Sequence, residues 1–287
     1  MDVQIAEERA FVLQPSIGFD QARERAWSQK LNVFGTLHNL MFRPKDDEVR
    51  ITRYELRYEP FWHVSARSEL EYDIRESYRL LVTNPATHHV SLEMFPDSDL
   101  VVQDQQVVLT GTSRCHESQT REQVLDGVTG EERPKLAAYL HRTKTELGTL
   151  DDFAPTDAVV VAPEIKASYV VRQQLTHLMR AVQADHVITE TVEVSALALF
   201  FRPVYVFDYV WAPKDKRQTM ALDGVSGELS NTTRQVGAFR SARLDTDLLF
   251  DIGADAVGML VPGGSIAMKL GRLAVQRTRP GQSPPAP

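Results

Sequence analysis

The chain has 287 residues, 43% of them apolar and 25% charged, a balance that suits a folded soluble protein and is long enough for one large domain or two ordinary ones. A net charge of −7 argues against a general nucleic-acid binder, which carries a basic excess. The single cysteine, Cys115, provides no intramolecular disulfide framework and fits a reducing compartment. Residues 1–9 are acidic and lack the apolar core of a secretory signal, so a cytoplasmic location is expected.

In chain order, residues 11–13 form a short apolar run stopped by Pro15, which predicts a buried strand. A helix is expected over 19–42, with Trp27, Leu31, Phe34, Leu37 and Met41 on one stripe, ended by Pro44 and Asp46-Asp47. Residues 49–58 alternate as a strand, Pro60 breaks it, and Phe61-Trp62-His63-Val64 opens the next. Further strands are expected over 70–82, 90–94 and 106–110, and residues 120–125 lead into a turn. Pro134 opens a short helix, and 148–155 link to a second half. There 159–161 read as a strand and 163–184 as a helix with Val171, Leu175, Leu178 and Val182 on its stripe. Residues 191–201 read as a strand, and its run 196–201, apolar on both faces, makes it a central one. Residues 204–211 and 217–222 form a hairpin about Ala212-Pro213-Lys214-Asp215.

The heptad Leu125-Asp126-Gly127-Val128-Thr129-Gly130-Glu131 returns as Leu222-Asp223-Gly224-Val225-Ser226-Gly227-Glu228. Residues 11–17 match 159–165, and 58–62 match 201–205, in the same order. Three ordered anchors predict an internal duplication. Pro60 to Asp126 spans 66 positions against 20 from Pro203 to Asp223, so the first copy carries a β insertion at about 65–118. The expected organisation is repeat A over 1–147, repeat B over 156–232, a C-terminal helical segment over 238–279 and a disordered tail over 280–287. Each Asp-Gly heptad reads as a turn, with Asp126 and Asp223 bonding downstream backbone N–H groups and Gly127, Gly130, Gly224 and Gly227 giving the backbone freedom.

The order helix, strand, strand, strand closing in an Asp-x-x-Thr/Ser-Gly-Glu turn resembles the PepSY-type module. The likeness covers 163–229, and 15–62 with 119–132. It implies a helix packed on an antiparallel sheet and a non-catalytic role of the kind found in protease propeptides and inhibitory or ligand-sensing segments. The chain shows no secretory signal and no attached protease or membrane-anchored domain, which narrows that role to binding or scaffolding. The expected fold class is therefore α+β: two related repeats, each a helix on an antiparallel sheet, with a β insertion in the first and a small-residue helical segment at the C-terminus.

Candidate chemistry is sparse. His88-His89 and Cys115-His116 lack metal-ligand spacing, and neighbours on a strand point to opposite faces. Neither Gly111-Thr112-Ser113 nor Pro262-Gly263-Gly264-Ser265 completes a phosphate loop. The aromatics Tyr54, Tyr58, Phe61 and Trp62 read as core rather than as a ligand platform. No cofactor or metal is expected, and a hydrolytic enzyme using Asp126, Asp223, His63 or Cys115 is the weakest reading. Interaction residues are sought in the tail, at Met259, Leu260, Pro262, Gly263, Gly264, Ile266, Lys269 and Arg272, where small apolar residues precede a basic cluster. The expected function is a non-enzymatic binding or scaffolding protein that self-associates or docks a protein partner there. The runner-up is a peripheral adaptor laying residues 248–274 and the following basic cluster on an anionic membrane.

Overall fold

The structure is a computed structural model that describes residues 2–34, 45–179, 182–241, 243–252 and 267–270. Its elements are β1 (Asp2–Ile5), β2 (Glu8–Leu13), α1 (Phe19–Ser28), β3 (Val49–Leu81), β4 (His89–Leu92), β5 (Phe95–Val101), β6 (Gln106–Asp126), β7 (Lys144–Leu147), β8 (Val159–Val160), α2 (Ala167–Leu178), β9 (His186–Trp211), β10 (Lys216–Asp223), β11 (Leu229–Thr232), α3 (Thr246–Phe250) and β12 (Ala267–Leu270). All strands except the β4–β5 hairpin join one large mixed sheet. Strand makes up 51% of the described residues and helix 15%. This corrects the α+β expectation. There are no duplicated helix-on-sheet units; the strands assigned to separate repeats share one sheet, and the helices are few and short.

Two departures explain the error. The first concerns the helices. α1 stops at Ser28, residues 29–34 turn, and 35–44 lie outside the described residues. Its packed face is Ala22 and Ala26, not the large apolar stripe, and Trp27 is 51% exposed. The helix predicted over 163–184 is α2, which begins only at Ala167. In the described part of the C-terminal segment α3 has five residues and β12 is a strand parallel to β1; residues 253–266 and 271–279 of that segment, and the tail expected over 280–287, lie outside the described residues.

The second departure is at proline. β3 runs unbroken through Pro60, and β9 through Pro203. The carbonyl of Pro60 accepts from Gly127 N (2.9 Å), so its ring nitrogen faces the same side, where β8 ends as a neighbour of β3 and β6 begins. Pro203 occupies the matching gap between β2 and β10 beside β9, its carbonyl accepting from Gly224 N (2.8 Å). A missing N–H costs nothing where a strand changes neighbours.

The sheet's pairing is two-fold about Glu59↔Arg202. Tyr58 faces Pro203 and Pro60 faces Phe201; Val12 pairs with Phe201, and Val160 with Tyr58. The matched anchors mark this local symmetry within one sheet. Both longer helices lie on the same face and cross between halves. α1 packs on Tyr205, Phe207, Tyr209 and Trp211 of β9, and α2 on Trp62, Val64 and Ala66 of β3 together with Leu197 and Leu199. On the opposite face Phe11, Phe61 and Phe200 stack beneath Tyr139 and Leu140. No described helix is long and apolar enough to cross a membrane.

The expected insertion is a ribbon. β3 and β6 pair from Phe61↔Asp126 to Leu81↔Gln106 without a bulge. At about 3.4 Å per residue that is roughly 70 Å. β9 accompanies it only as far as Asp73↔His186, so residues 74–81 and 106–113 continue as two strands, with the β4–β5 hairpin beyond.

Candidate functional site

The two heptads are built alike, bond for bond. Asp126 Oδ1 accepts from Val128 N and Thr129 N (both 3.0 Å), and Asp223 Oδ1 from Val225 N and Ser226 N (both 2.9 Å). Gly130 and Gly227 close the turns at φ of 74° and 75°, donating to Asp126 O and Asp223 O. A Cβ on Gly127 would lie 2.7 Å from Pro60 Cβ, and one on Gly224 2.9 Å from Pro203 O. The freed carbonyls then clasp the opposite half. Gly127 O accepts from Glu164 N and Ile165 N, and Gly224 O from Ser16 N and Ile17 N. Trp62 Nε1 donates to Ile165 O, and Tyr205 Oη to Ile17 O, each at 2.9 Å. Each heptad thus holds the segment leading into the other half's helix.

Between the turns, on the face away from the helices, lies a groove of about 680 Å³ lined by Glu59, Asp126, Arg133, Tyr139, Arg202 and Asp223 among others. Its charges answer one another. Arg202 binds Asp223 Oδ2 (2.6 Å) and Glu59 Oε2 (2.8 Å), and Arg133 binds Glu131 (2.9 Å) with Asp126 Oδ2 at 3.7 Å. Burial alone would lower the Arg202 pKa, but the two carboxylates outweigh it and the net direction is up. Burial, the largest cause, raises Tyr139. Asp223 is thus engaged by two backbone amides and a guanidinium.

The other sequence candidates do not converge. Cys115 and His116 sit on opposite faces of β6, paired with Tyr72 and Glu71. His89 Nδ1 meets Asp99 Oδ1 at 2.9 Å in the hairpin, and His63 Nε2 meets Glu122 Oε1 at 2.8 Å on the ribbon. Among the described residues no three His, Cys, Asp or Glu side chains gather as a metal-binding group. Phe61 and Trp62 are fully buried, and Tyr54 is 57% exposed against Phe19. Of the tail residues, Lys269 lies in β12 in register with Gln4, whereas Met259, Leu260, Pro262, Gly263, Gly264, Ile266 and Arg272 lie outside the described residues.

The surface that sequence reasoning missed is the far end of the ribbon. Leu81 (78%), Met94 (84%), Phe95 (62%), Val101 and Val108 are exposed there, with Tyr78 and Leu80 about half so. Glu93, Asp97, Asp99 and Asp104 are exposed among them. A sequence signal existed: from Leu80 to Ser113 there is no lysine or arginine, although large apolar residues recur throughout. No protein-family model, curated protein or solved structure matches this chain.

Proposed function

We propose that the protein is a non-enzymatic binding or scaffolding protein whose ribbon is the docking arm. The observation that carries this reading is the set of large apolar side chains exposed at the end of a two-stranded projection. Folding gains nothing from such exposure, whereas burying each Met, Phe or Leu in a partner is worth about 1.5–3 kcal/mol. The acidic side chains around them favour a protein surface with an apolar pocket and a basic rim, and disfavour anionic lipid. The self-neutralised groove and the turn-bound carboxylates support a structural use for the sheet's centre.

Placing a photo-crosslinking residue at Phe95 in host cells is the test. A discrete protein adduct is expected, lost when Leu81→Asp and Met94→Asp are added. If the yield at Phe95 is no higher than at Glu24, an exposed position on α1, the reading fails.

A further inference from the structure

Among the described residues β6 pairs only with β3, leaving its outer edge open. Arg133 N donates to Val124 O, and Asp126 N to Glu131 O, so even-numbered residues of β6 turn their N–H and C=O outward while odd-numbered ones face β3. The returning segment covers the edge at 124–126, and residues 107–123 remain uncovered. An edge of this length is normally blunted by a proline, a bulge or charges that repel a second strand. This stretch contains no proline and its ladder has no register shift, and its charges, Arg114, Glu117, Arg121 and Glu122, are of both signs.

We infer that this edge pairs antiparallel with the same edge of a second copy, about a two-fold axis through Gln119. That register sets Glu117 opposite Arg121 twice, His116 opposite Glu122 twice, and Ser118 opposite Thr120, with no like charges facing. It uses the outward N–H and C=O of residues 116, 118, 120 and 122, and it stops short of the covered end. Arg121 provides an independent reason for choosing it. Among the described residues no carboxylate is paired with its guanidinium, and its Nε has no hydrogen-bond partner. Shifting the axis by one residue, to Ser118, would instead match Arg114 with Glu122. Arg114 already lies against Asp73 and Glu71, so the Gln119 register is the one that sets a carboxylate opposite the arginine that has none among the described residues. The second copy, not an unrelated strand, is the occupant, because the stretch is complementary to itself when reversed.

The full chain should run as a concentration-dependent dimer by light scattering. Arg121→Glu should weaken it about tenfold or more, and Arg121→Glu with Glu117→Arg should restore it. Thr120→Pro removes an outward N–H while leaving the β3 ladder intact, and should also give monomer. In a Cys115→Ser background, Gln119→Cys faces its own copy at a non-hydrogen-bonded position, close enough for a disulfide. It should cross-link on mild oxidation, whereas Thr112→Cys should not. A monomer at every concentration, a dimer indifferent to charge reversal, or equal cross-linking at 112 and 119 overturns the inference. A dimer lost with Met94→Asp but kept with Arg121→Glu also overturns it, while leaving the docking arm standing.

Discussion

At the scale of single residues, the paired heptads show how little freedom a turn leaves. Gly127 and Gly224 are required by contact, since a methyl group on either would run into the proline one strand away. Gly127→Ala or Gly224→Ala should therefore cost roughly 1–3 kcal/mol, the usual penalty for overpacking a fixed backbone. A denaturant melt showing either variant within 0.5 kcal/mol of the parent, a margin of about the size expected for an exposed site, would remove the clasp as a stabilising device. On the ribbon, Tyr72 donates to Glu117 Oε1 (2.9 Å), and that bond, with burial second, pushes the phenol from 10.0 up to about 12. The folded state favours the neutral phenol, so this stabilisation is complete below about pH 10 and is lost as pH rises towards 12. Ultraviolet titration of Glu117→Gln should show one tyrosine ionising earlier than in the parent; superimposable curves would dissociate Glu117 from Tyr72.

At the scale of elements, local pattern was legible where one side chain or one turn decides the outcome. The Asp-Gly turns could be read from Asp126 and Asp223, and the strand character of 70–82 and 106–110 from alternation. Other features depended on information outside the local window. Pro60 and Pro203 look like strand breakers until it is known that each sits where one neighbouring strand replaces another. Ala22 and Ala26 look unremarkable until Tyr205 and Tyr209 are placed beneath them, with Tyr209 Oη donating to Ala26 O (2.9 Å). Of the predicted stripe Trp27 points outward, while Leu31 and Phe34 pack on the same cluster from beyond the helix end. The ribbon was divided into strands because nothing in 65–118 states that Phe61 to Leu81 continues as one element. The exposed apolar side chains at its end were not singled out, since exposed apolar residues and core apolar residues read alike in sequence.

At the scale of the molecule, the crossing of helices makes the halves interdependent. The largest core cluster takes Trp62, Val64 and Leu125 from before residue 150, and Val171, Leu175, Leu197 and Leu199 from after it. The second takes Ala22 and Ala26 from the first half, but Phe207, Tyr209 and Trp211 from the second. Arg57, fully buried, adds a polar tie: it is bound to Glu55 and donates to the carbonyls of Arg234 and Gln235, some 177 residues away in sequence. Fragments 1–155 and 156–287 expressed separately would each expose half of both clusters and leave a central strand without its partner. Neither should melt cooperatively alone, and mixed during refolding they should recover a strand-rich circular dichroism spectrum and a single transition. Cooperative unfolding of fragment 1–155 by itself would place a complete core within the first half. The crossed helices would then be an addition to that core, and the shared sheet would not be what makes the chain fold as one unit.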